Sequence, residues 1–185
     1  LFVQLPNFGS KENWPVIREA QRQSLAVPAT GMAVTIDVGD PQDLHPADKA
    51  PVGRRLALLA RALAYGEPLV ASGPTLASVE ADGATMVLGF DNVGRGLVAR
   101  KPGAEPDAAG EPSNFELAGA DGVFHPARAR IAGDRVRAES AAVPAPVRVR
   151  YAWAATPEPP VDFFNRDGLP ASPFEANVGV VTGRP

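Results

Sequence analysis

Residues 31–66 read GMAVTIDVGDPQDLHPADKAPVGRRLALLARALAYG. Gly31 to Val38 are apolar nearly throughout, the composition of a parallel strand covered by helices on both faces rather than of a strand with one wet side. The run ends in a polar loop, Asp37-Val38-Gly39-Asp40-Pro41-Gln42-Asp43-Leu44-His45-Pro46. From Asp48, a residue suited to an N-cap, Val52, Leu56, Leu59 and Leu63 recur at spacings of four, three and four, which places them on one face of a helix. Gly66 is its expected stop.

Working outward, Leu1 to Leu5 read as a buried strand, and Trp14-Pro15 opens a helix to about Leu25, with proline in the first turn where its missing N–H costs nothing. Pro28 ends it. Strand, helix, strand, loop, helix over 1–66 is an α/β pattern. A buried strand as first element needs neighbours, so the reading expects a fragment whose strand partners lie on a preceding segment, and which exposes apolar surface or aggregates when alone. After Gly66 the period becomes two. Met86, Leu88 and Phe90, then Ala127, Ala129 and Ile131, then Val147, Val149, Tyr151 and Trp153 alternate with other residues, each a strand with one buried face. Asp82-Gly83, Asp121-Gly122 and Gly133-Asp134 separate such runs as hairpin turns do. Residues 67–155 therefore read as a small antiparallel β-sandwich in which 101–113 is a mobile loop. The prolines at 157, 159, 160, 170 and 173 predict an irregular tail over 156–185, lying on the surface or against the α/β part.

Several function classes are excluded by composition. With 45% apolar residues the chain can bury a core, so it is globular. A net charge of −3 without a Lys/Arg run supplies no stripe for a phosphate backbone, so nucleic acid is not an expected partner. No apolar run approaches the ~20 residues that span a bilayer, so no membrane crossing is expected. The absence of cysteine leaves no disulfide or thiolate metal site and says nothing of compartment.

His45 and His125 are the two imidazoles that can titrate near neutral pH. His45 lies just beyond the carboxyl end of a buried parallel strand, where open α/β sheets place their sites. Asp37, Asp40 and Asp43 precede it. A carboxylate that accepts the imidazole Nδ1–H leaves Nε2 free to take a proton from a serine. The alternative is an Asp-rich loop that caps the following helix beside an exposed histidine. His125, before Pro126 in a strand or turn, reads as structural. Tyr151 and Trp153 share a face with Val147 and Val149 and read as core, whereas Trp14, Phe163 and Phe164 are freer to stack on sugar rings.

The 31–66 block closely resembles the segment after the last core strand of sialate O-acetylesterases and related carbohydrate acetylesterases. FVQLPNF (2–8), WPVIREAQRQSL (14–25), FELAGADGVFHPARARIAGDRV (115–136), VRYAWA (149–154) and FNRDGLPASPF (164–174) resemble the same family in the same order. The resemblance implies the C-terminal part of a flavodoxin-like SGNH hydrolase domain, followed by the sandwich, with a Ser-His-Asp set that removes O-acetyl groups. It implies an acetylated carbohydrate as substrate, either sialic acid esters or plant cell-wall glycans, and a periplasmic or secreted location. No metal or organic cofactor is implied.

His45 matches the family's catalytic histidine. Many SGNH hydrolases place Asp three residues before it, where this chain has Gln42; Asp43 is the favoured acid, Asp40 the alternative, and a Ser-His dyad remains open. No GxSxG or GDS block occurs, and Ser10, Ser24, Ser72, Ser78, Ser113, Ser140 and Ser172 lack such a context. The serine is therefore expected on an upstream segment, and the chain alone is expected to be inactive. The rival expectation is a non-catalytic carbohydrate-binding or regulatory fragment.

Overall fold

The computed structural model describes residues 1–9, 12–100 and 110–180. Strand β1 (Phe2–Val3) pairs in parallel with β2 (Met32–Ala33), Phe2 opposite Met32 and Val3 opposite Ala33. Both strands are shorter than the apolar runs predict. The ladder ends where Thr35 Oγ1 donates to the Gln4 carbonyl at 2.6 Å, and Val38 N–H turns back onto Thr35 O at 3.2 Å. A side chain takes the acceptor that a longer strand would have used, so residues 34–36 remain buried without being strand.

Helix α1 (Trp14–Gln23) passes into a short 3₁₀ turn at Ser24–Ala26 and packs against the strand at Phe174–Asn177. Helix α2 (Ala50–Tyr65) covers β1 and β2. Its N-cap is Lys49 rather than Asp48, although the Asp48 carboxylate still accepts the Ala50 N–H at 3.2 Å. The buried stripe is centred on Arg55 and Leu59; Val52 and Leu56 are half-buried and Leu63 is exposed, so the expected apolar face is only partly covered. Gly66, at φ 68°, closes the helix in the left-handed conformation.

The β part contains β3 (Thr75–Asp82), β4 (Thr85–Asp91), β5 (Leu97–Ala99), β6 (Phe115–Ala118), β7 (Phe124–Pro126), β8 (Arg128–Ala132), β9 (Arg135–Glu139), β10 (Arg148–Tyr151), β11 (Phe163–Asn165) and β12 (Phe174–Asn177). One antiparallel sheet runs β3-β4-β9-β8 and another β12-β10-β6-β7, with β11-β5 as a separate pair. The hairpins β3–β4, β6–β7 and β8–β9 turn at the three predicted Asp-Gly or Gly-Asp steps. Inner-face residues of both sheets, among them Met86, Leu88, Leu117, Val136, Val149 and Tyr151, form one core. Phe90, Phe115, Tyr151, Phe163 and Phe174 meet within it, with Phe90 and Phe163 edge-to-face at 5.1 Å between centroids.

The tail departs most from expectation. Its prolines flank two strands instead of breaking them: β11 pairs with β5 and β12 with β10, and 161–165 and 169–174 are buried. Three- and four-residue strands fit between prolines, so the β part extends to Asn177. Phe163 and Phe164 are thus core, and so is Trp14, whose indole N–H donates to Pro6 O at 2.7 Å; none is free to stack on a sugar. Tyr151 is core as expected. Trp153 is only half-buried, because Ala152 at φ 50° breaks the alternation after Tyr151. Of the predicted 101–113 loop, 101–109 lie outside the described residues, as do Ser10 and 181–185; the end of the loop is held by Ser113 N–H on Asp162 Oδ1 at 2.9 Å.

Candidate functional site

The loop after β2 is built from local carboxylate-to-backbone bonds. Asp40 Oδ1 accepts the Gln42 N–H at 2.8 Å, Asp43 N–H reaches Asp40 O at 3.3 Å, and Asp43 Oδ1 accepts the His45 N–H at 2.8 Å. These are the short-range bonds by which Asp favours turns. Of the three carboxylates, Asp37 alone leaves the loop, forming a two-pronged pair with Arg55 at 2.7 and 2.6 Å; Arg55 also donates to Val34 O at 2.7 Å. That pair is largely removed from water and fixes the exit of β2 to α2.

From the other side the loop rests on residues 7–9. Gly9 N–H donates to Pro41 O at 2.8 Å. Gly39 sits against Asn7 so closely that a Cβ there would lie 2.3 Å from the Asn7 carbonyl oxygen. Pro46 is buried, anchoring the far end.

His45 itself is exposed. Among the described residues its imidazole makes no hydrogen bond or ion pair, and the Asp43 carboxylate sits on its backbone N–H instead of its ring. His45, Asp43 and Asp40 thus share one tight loop without forming a relay in this state. His125 lies in β7 opposite Leu117, half-buried. The described serines are engaged elsewhere or apart: Ser24 Oγ donates to Ala20 O, Ser140 Oγ to Pro126 O, and Ser172 is buried beside Gln4. None bonds His45 among the described residues.

Two buried arginines escaped the sequence reading. Arg55 and Arg18 are each buried at a position four residues from a core residue of the same helix, Leu59 and Trp14. The only signal was a guanidinium interrupting an apolar stripe. Burial pulls the Arg18 guanidinium down to about 10, and burial followed by the charge of Asp162 pushes the Tyr151 phenol up. Among the described residues no group of three or more His, Asp or Glu is arranged to hold a metal ion, and no helix is long and apolar enough to cross a membrane. A cavity of about 160 Å³ is lined by Thr85, Arg128, Arg130, Arg137 and Glu139, none of them from the His45 loop.

No protein-family model matches the chain, and no curated protein does. Among solved structures it is similar to a novel carbohydrate acetylesterase from Xanthomonas citri, with 48% identity and a TM-score of 0.84. The match covers 94% of this chain and 40% of that protein, so the chain spans about two fifths of its relative's length.

Proposed function

We propose that this chain is the histidine-bearing part of a carbohydrate O-acetylesterase. The observation that carries the reading is the 48% identity, over 94% of the chain, to a carbohydrate acetylesterase of the same fold. In this reading residues 1–66 end a flavodoxin-like SGNH domain, and a segment outside 1–185 brings the serine and the oxyanion-hole donors. The serine Oγ attacks the acetyl carbonyl while His45 Nε2 takes its proton. The protonated imidazole then returns that proton to the departing sugar hydroxyl, and the acetyl-enzyme is opened by a water that His45 deprotonates, releasing acetate.

Asp43 is the proposed acid partner, with Asp40 the alternative. Asp43 Oδ1 is occupied by the His45 N–H. Oδ2 makes no hydrogen bond among the described residues, which leaves it to receive the imidazole Nδ1–H when the exposed ring turns inward. The substrates proposed are acetylated sialosides or plant cell-wall glycans, and the location periplasmic or secreted. The test is acetate release by the intact enzyme across both substrate groups. His45→Ala should lower kcat roughly 10³-fold without unfolding the protein; a wild-type rate refutes the assignment.

One observation favours a second reading, a non-catalytic carbohydrate-binding role: no carboxylate engages the His45 ring in this state. That reading requires sugar binding to persist while His45→Ala leaves hydrolysis unchanged.

A further inference from the structure

Arg18 has no exposed surface, and among the described residues it pairs with no carboxylate. Its guanidinium is instead surrounded by main-chain carbonyls from two distant segments. Nε donates to Leu5 O at 3.0 Å and Nη2 to Pro6 O at 2.6 Å; Nη1 donates to Ala154 O at 2.7 Å, and Nη2 gives a second bond to Ala155 O at 2.8 Å. Pro6 O also accepts the Trp14 indole N–H, and Phe8 N–H reaches Ala155 O at 3.2 Å. Burying a guanidinium without an anion is expensive unless its donors are nearly all satisfied. Only a planar fork reaches acceptors on both sides in this way; a lysine would direct three donors from one nitrogen.

The two segments belong to different parts of the fold. Residues 5–6 lead out of β1 into Asn7 and Gly9, which seat Gly39 and Pro41 of the His45 loop. Residues 154–155 follow β10 of the β part. We infer that Arg18 is a positioning residue that places the His45 loop relative to the β part, which makes the β part a required component of the esterase site. This rests on the esterase reading above. The route is continuous: β10 end, Arg18, residues 5–6, the Asn7 and Gly9 contacts, then the loop.

The test uses the intact enzyme and the variants Arg18→Lys, Arg18→Met, Gly9→Ala and His45→Ala. Gly9→Ala breaks the same route farther along, because its Cβ would lie 2.6 Å from Pro41 O. Acetate release is measured well below the melting temperature, and the His45 imidazole is followed by NMR through a pH titration. Arg18→Lys should lower kcat about 10²-fold, with KM changed less than about twofold, and shift the His45 signal. Arg18→Lys combined with Gly9→Ala should lose little more than the worse single variant, since both cut one route.

If Arg18→Met does not fold, Arg18→Lys decides. Full kcat and an unmoved His45 signal in Arg18→Lys, with only a lower melting temperature, reduce Arg18 to a strut and overturn the inference. If His45→Ala keeps the wild-type rate, the esterase reading fails on its own, and the His45 signal in Arg18→Lys still decides whether Arg18 sets the loop's position.

Discussion

Replacing Gly39 by alanine puts a methyl group where the chain has no room for one. The new Cβ would stand 2.2 Å from Asn7 Oδ1, 2.3 Å from Asn7 O and 2.7 Å from Asn7 N, whereas ordinary contact begins near 3.4 Å. The amide oxygen can swing aside. The two backbone atoms cannot, because Gly9 N–H is tied to Pro41 O and Phe8 N–H to Ala155 O on the same segment. The loop and residues 7–9 must therefore separate by about 1 Å. Overpacking of this kind costs roughly 1–3 kcal/mol, which for a chain of this size lowers the melting temperature by about 2–4 °C per kcal/mol. A displacement near 1 Å at a catalytic base can cost about 10² in rate. The assay is thermal unfolding together with kcat for acetate release. Gly53→Ala is the control: nothing lies within 4 Å of its Cβ and it sits inside α2, so it should gain about 0.5–1 kcal/mol through lower chain entropy and leave kcat unaltered. A Gly39→Ala variant with unchanged melting temperature and unchanged kcat would refute the claim that the Asn7–Gly39 contact positions the loop.

Asp43→Asn should lower kcat severely and Asp40→Asn mildly, as measured by acetate release; the reverse order transfers the acid role to Asp40, and small effects from both leave a Ser-His dyad. Arg55→Met strands the Asp37 carboxylate in a nearly dry position, so urea unfolding should show a loss of about 3–5 kcal/mol, largely recovered when Asp37→Leu is added. Glu111 is held down to about 2, first by its bond to Arg128 and then by that to Arg130. A carboxylate depressed in the folded state stabilises it above the unfolded pKa, and that contribution is lost as pH falls toward 2. Because both ion pairs are solvent-exposed, Glu111→Gln should unfold only slightly more easily than wild type at pH 7, with the difference fading between about pH 4.5 and 2 in an acid titration.

Periodicity and turn chemistry are local, and they made much of the architecture legible. The switch from period 3.6 before Gly66 to period two after it separates the α/β part from the sheets, and the Asp-Gly and Gly-Asp steps mark hairpins because their backbone requirements are met within two or three residues. Gly66 ends α2 for the same reason. The Asp-rich loop was legible too, since Asp40 and Asp43 each bond the N–H two residues on. What the tertiary structure decided depends on partners far away in sequence. The chain after Thr156 becomes two core strands because β5 and β10 offer free edges to it, which no local proline count can foresee. Arg18 is buried because carbonyls of residues 154–155, about 136 positions away, arrive over it. Asp37 turns to Arg55 because α2 folds back over β2.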